Sequence, residues 1–194
     1  MVGVRLSYAI LERVDLREAY PPARRALENI RDEKTESLMK GTCDLTLFHD
    51  VASINPAFGQ VERTSDLFKT IAGSNRGFAE KCFQIVLESL IRTKEFGLAR
   101  SFIPDPQKQI EEFAMPLKLA RGGTSWVSPE IVQETLVRIY VKNVNLVLHV
   151  LLGVGDQEAS DHLREYALEC VPDAQLRDRI REGLDSSTPS KQIQ

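Results

Sequence analysis

The sequence predicts an all-α protein, an irregular array of antiparallel helical hairpins with about eight or nine helices. Three observations carry that prediction. Apolar residues recur at helical spacing in nearly every segment. Helix-start signals punctuate the chain: Asp15, Asp105-Pro106, Ser128-Pro129 and Asp156. No stretch alternates cleanly between apolar and polar residues, and no Asn-Gly hairpin turn occurs.

The elements follow in order. A first helix over 4–14 carries Leu6, Ala9, Ile10 and Val14 on one face. Asp15 with Glu18 three residues on forms a capping box. From there Leu16, Ala19, Tyr20, Ala23, Leu27 and Ile30 keep the helical period, and Pro21-Pro22 imposes a kink or a late start. A third helix is expected over 34–53, through Leu38, Leu45 and Phe48. Asn55–Gln60, "NPAFGQ", reads as a loop from its Pro and Gly, and 55–63 is the best place for a minor boundary. Helices at 62–72 and 75–95 come next, then a short one over 97–103 stopped by Pro104.

Asp105 caps a helix with Pro106 at its first position. Ile110, Phe113, Ala114 and Leu117 form its apolar face, Pro116 bends it, and Gly122-Gly123 closes it. Ser128-Pro129 opens the longest helix, to about 152, with Val127 and Val132 placed as a hydrophobic staple. Its second half is apolar nearly all round, which makes it the central buried helix. Gly153–Gly155 ends it, Asp156 caps the next helix, and Pro172-Asp173 precedes a last one over 172–184. Residues 1–185 read as a single all-helical domain and 186–194 as a flexible tail.

Composition narrows the function classes. The chain has 194 residues, 42% of them hydrophobic, with a net charge of −3. Residues 1–40 carry 8 Lys/Arg against 7 Asp/Glu, so no basic stripe offers a footprint for nucleic acid. No polybasic or lipidation signal points to a membrane surface. The most apolar run, Val144–Leu152, is too short for a bilayer and contains Asn145 and His149. Cys43, Cys82 and Cys170 form no CxxC and read as reduced, partly buried thiols. With no signal-peptide pattern at the start, the expected location is the cytoplasm.

The chemistry-bearing patterns are few. Glu158, His162 and Glu165 share one helix face and are the metal candidates, but a site needs ligands from a second helix. The other two histidines are His49, beside Asp50, and His149, read as a hydrogen-bonded core residue. Neither belongs to an HExxH motif or to a second ExxH pair. Arg121–Trp126, "RGGTSW", sits before a helix N-terminus as an anion cradle would, without the strand and Lys of a P-loop. Gly153–Asp156 is read as a helix junction, and Trp126 as a lid over one. The expectation is no cofactor, no metal and no catalytic residue.

The stretch around 82–106 resembles a tetratricopeptide hairpin. Phe83, Val86 and Leu90 stand at the family's first-helix Trp, Leu and Tyr positions. Phe96 and Ala99 reproduce its aromatic-x-x-Ala signature at the start of the second helix. Leu87 replaces the usual small residue, and Pro104 shortens the second helix. Leu16, Ala19, Ala23 and Ala26 echo the pattern, as do Gly155-Asp156, Ala167 and Pro172, where Gln157 and Ser160 break it. The echoes are offset by 80 and 61 residues, so the repeat is irregular. The resemblance implies a non-catalytic module that binds a protein or peptide. It also implies a partner-facing stripe on the first helix, opposite its packing face: Lys81, Gln84, Glu88 and Arg92. The competing reading of those four is a solvated face with a Glu88–Arg92 pair. The rival functions are a small-molecule-binding or regulatory all-α domain and a metal-dependent enzyme through Glu158, His162 and Glu165.

Overall fold

The computed structural model describes residues 21–119 and 128–186, and within them the protein is all-helical, with nine helices and no strand. The expected helix over 4–14, the Asp15–Glu18 box, the 121–126 loop with Trp126, the Gly122-Gly123 closure, the Val127 half of the staple and the tail from 187 onward lie outside the described residues. The chain divides between Glu95 and Phe96 into two compact units.

The first unit contains α1 (Pro21–Met39), α2 (Leu45–Ala57), α3 (Val61–Ser74) and α4 (Arg76–Arg92). α1 packs on α2 and α3, and α4 packs on α2 and most extensively on α3. Their shared interior is aromatic at its centre. Phe68 meets Phe48 edge-on, with ring centroids 6.4 Å apart, and lies 6.5 Å from Phe83. Val51, Ile54, Leu67, Val86, Leu87 and Leu90 fill the space around them.

The expected single helix over 34–53 is two helices. α1 stops at Met39 because Gly41 takes a positive φ of 96°, and Thr42 N–H reaches back to Ser37 O at 3.1 Å while Gly41 N–H bonds Leu38 O at 3.0 Å. That is a Schellman closure, in which glycine carries no Cβ penalty. Asp44 then starts α2, accepting from Thr46 N–H at 2.7 Å and Leu47 N–H at 3.4 Å. Nor is "NPAFGQ" a loop throughout. Pro56 lies inside α2, in its last turn, and the turn itself is confined to 58–60. Asn55 there is buried and bonded to Thr64 of α3, which ties this junction together instead of making it a boundary.

α4 ends by the same closure with a different residue. Glu95 N–H reaches Leu90 O at 2.8 Å and Lys94 N–H bonds Ile91 O at 3.0 Å. Lys94, at φ 60°, occupies the left-handed position that glycine fills elsewhere.

The second unit contains α5 (Phe96–Ser101), α6 (Pro106–Leu119), α7 (Pro129–Gly153), α8 (Gln157–Glu169) and α9 (Ala174–Ser186). Ser128 Oγ accepts from Ile131 N–H at 3.4 Å with Pro129 at the first turn, and Asp156 accepts from Ala159 N–H at 3.1 Å. Asp105 does the same for Lys108 N–H at 3.0 Å. α7 touches all four other helices of its unit. By length and composition it could cross a membrane; in this fold Val137, Tyr140, Val144, Val147, Leu148, Val150 and Leu151 are buried. Burial is one-sided toward its start, where Ile131 and Ile139 are exposed.

Close approach within this unit depends on small residues. A Cβ at Gly153 would collide with the Phe96 ring, and one at Gly183 would sit 3.0 Å from Val141 Cγ1. Tyr140 reaches from α7 to donate to Ala167 O at 2.7 Å. That carbonyl is in the last turn of α8, where Val171 N–H has turned to Leu168 O. The phenol therefore satisfies a helix-end acceptor that would otherwise be buried without a partner.

Candidate functional site

One face of α6 and the end of α8 enclose an open groove of about 540 Å³ in the second unit. α6 presents its packing face through Ile110 and Ala114, both fully buried. The opposite arc holds Lys108, Glu111, Glu112, Met115 and Lys118, spaced at i, i+3, i+4, i+7 and i+10. Tyr166 and Glu169 of α8, with Cys170 just past its end, complete the lining. Met115 is half-exposed at 50%, an apolar side chain standing among charges of both signs.

The two walls are joined by a polar contact. Tyr166 Oη donates to Glu111 Oε1 across the two helices. That bond to the carboxylate raises the phenol to about 12, so it stays a neutral donor. Burial pushes the Cys170 thiol up, with nearby Lys118 pulling the other way. A raised thiol is a poor nucleophile near neutral pH. The arrangement therefore suits recognition by shape, hydrogen bonds and ion pairs.

The residues singled out from sequence fall elsewhere. Lys81, Gln84, Glu88 and Arg92 are all exposed on α4, opposite the buried Phe83, Val86, Leu87 and Leu90. None of the four lines the α6–α8 groove, and the stripe itself carries no apolar side chain. Glu158, His162 and Glu165 are exposed on α8. His162 Nε2 lies 3.0 Å from Gln107 Nε2 of α6. Among the described residues no group of three His, Cys, Asp or Glu side chains is placed to hold an ion. His149 is half-buried, and its desolvation favours the neutral ring. The cysteines divide: Cys82 is buried in α4, Cys170 half-buried, and Cys43 exposed in the 40–44 link, accepting from Asn75 Nδ2 at 3.2 Å. Cys43 thus corrects the expectation of a partly buried helical thiol, because the helix breaks at Gly41.

Sequence periodicity located the packing face of α6 but not the groove. The signal was present as its complement, a lone Met115 inside a charged arc; the α8 wall was not predictable from helix-local spacing. The resemblance positions also separate. Phe83, Val86 and Leu90 belong to the core of the first unit, whereas Phe96 and Ala99 belong to the second, with Phe96 seated on Gly153 of α7. No protein-family model, curated protein or solved structure matches this chain.

Proposed function

We propose that the protein is a non-catalytic, helical-repeat-like interaction module that holds a short protein or peptide segment in the α6–α8 groove. The carrying observation is Met115: an exposed apolar side chain that lines the groove together with the charged Lys108, Glu112, Lys118 and Glu169. Exposed apolar side chains set among charged ones are common at contact surfaces. A partner fitting it carries one apolar side chain for Met115 and the Tyr166 ring, flanked by charges of both signs. The proposal includes a cytoplasmic location, where three unpaired thiols stay reduced. It includes no cofactor and no role in binding nucleic acid or membrane.

The test is a random peptide display selected on the full chain, followed by affinity measurement on variants. Met115→Lys is expected to weaken selected peptides by about tenfold or more, with the circular dichroism spectrum unchanged because the site is exposed. The charge reversal Glu88→Lys with Arg92→Glu on α4 is expected to leave them unaffected. Peptides that ignore Met115→Lys but are lost on the α4 reversal would move the contact to the stripe of Lys81, Gln84, Glu88 and Arg92. Peptides that ignore both variants would defeat the reading.

A further inference from the structure

A smaller pocket of about 260 Å³ lies in the first unit, where α1, α2 and α3 meet. Asn55, one of its lining residues, carries an unmatched acceptor. Asn55 is 2% exposed. Its Nδ2 donates to Thr64 Oγ1 at 3.1 Å, while its Oδ1 is buried and accepts a hydrogen bond from none of the described residues. Buried amide oxygens are rarely left this way, because the lost water bond goes unreplaced.

The surrounding polar atoms are of the same kind. Thr35 Oγ1 spends its proton on Arg31 O at 2.8 Å, and Thr70 Oγ1 spends its own on Asp66 O at 3.1 Å. Both hydroxyls therefore offer only lone pairs to an occupant. Asp66 adds a carboxylate at the rim, held by Lys69 in a surface pair at 3.3 Å that exchanges easily with solvent. Arg63, the cation of the lining, is partly neutralised: its Nη1 lies 3.3 Å from Gln60 Oε1 and 3.7 Å from Asp32 Oδ1. Leu67 and Met39 supply the apolar part.

We infer that this pocket binds a small molecule whose inner end carries hydrogen-bond donors, with a primary alkylammonium the best match. An ammonium has three donors and no acceptor, the complement of an acceptor wall. Asp66 provides the counter-charge that a partly buried cation needs. Leu67 and Met39 cover a short aliphatic chain. The volume is below the roughly 300–1,000 Å³ of drug-sized sites, so the occupant is small. The inference is independent of the α6–α8 groove, which lies in the other unit.

The test is a ¹⁵N-resolved NMR titration of the full chain with n-pentylammonium, 1-pentanol and pentanoate. Pentylammonium is expected to shift the Asn55 side-chain amide and the Thr64 and Thr70 backbone signals saturably. Pentanol binds about tenfold more weakly and pentanoate not at all. Thr70→Trp, at an exposed rim position, fills the pocket and weakens pentylammonium about tenfold or more while the rest of the spectrum is retained. Asn55→Leu gives the same loss, and the rim variant decides the matter if that protein does not fold. Pentanoate binding as tightly as the amine would place the amide NH₂ toward the pocket and overturn the assignment. Shifts that never saturate, or binding that survives Thr70→Trp, overturn it too.

Discussion

The two units solve one packing problem in different ways. Buried polar and charged residues are concentrated in the first: Arg31, Asp50, Asn55, Thr64, Ser65 and Ser89, against Ser160 in the second. In the first unit they are stitched across helices. Arg31 Nη1 bonds Gln60 Oε1 at 2.7 Å, with its guanidinium 5.8 Å from the centre of the Phe58 ring. Lys34 pairs with Asp50, and Ser65 Oγ lies 2.9 Å from Thr93 Oγ1. The second unit instead wraps one apolar helix, α7, and brings its neighbours close at Gly153 and Gly183. Polar stitches penalise a wrong register by leaving groups unpaired. Glycine seats penalise it by collision. The lesson is that similar helix arrays need not share the device that makes their packing unique.

The largest expected effect lies on the glycine side. Gly153→Leu places a branched side chain where the Phe96 ring sits, and should cost about 3 kcal/mol or more of stability by urea denaturation. Phe96→Ala in the same chain should restore part of that loss, since the two side chains compete for one space. Additive losses would show that α7 does not depend on this seat.

Next comes a polar stitch. Asp50 is 6% exposed while Lys34 retains access to water. Asp50→Ala should therefore cost about 2 kcal/mol, below the range for a fully buried pair. Replacing both partners, Lys34→Met with Asp50→Leu, should recover most of it. A double variant as unstable as the single one would mean that the pair stabilises the fold and does more than select its register.

A smaller effect is a pH dependence carried by Cys82. Burial in α4, with some help from Cys43, raises this thiol from 9.0 to about 12. The unfolded chain gives up the proton near pH 9 while the folded chain keeps it. The thiol's contribution to stability is therefore complete below pH 9 and is lost as pH rises toward 12. The slope is at most about 1.4 kcal/mol per pH unit. Between pH 9 and 10, Cys82→Ala should make that decline shallower and leave the share carried by Cys170 and the buried Tyr140, both also raised by burial. An unchanged slope in the variant would assign the decline to another group.

The smallest effect sharpens the view of how helices stop. α1, α2 and α7 close on Gly41, Gly59 and Gly155, whereas α4 closes on Lys94 at φ 60°. Lys94→Gly should stabilise the protein by up to about 1 kcal/mol, read as a higher urea midpoint. A loss would mean that the Lys94 side chain does more at that corner than occupy it.

What the sequence determined alone was local. Helix class, the starts at Asp105-Pro106, Ser128-Pro129 and Asp156, and the stop near Gly155 were legible because capping involves groups within a few residues of each other. The break at Gly41 with its Asp44 cap was equally local, and the continuous apolar spacing through Leu38, Leu45 and Phe48 masked it. Tertiary structure alone decided the division at Glu95, the seat of Phe96 on Gly153, the exposed side of α7 at Ile131 and Ile139, and the groove that pairs Glu111 with Tyr166. The Phe96–Gly153 seat joins residues 57 positions apart and the Glu111–Tyr166 pair residues 55 apart. Helical periodicity says which faces of a helix are apolar, but which neighbour covers each face depends on how distant helices meet.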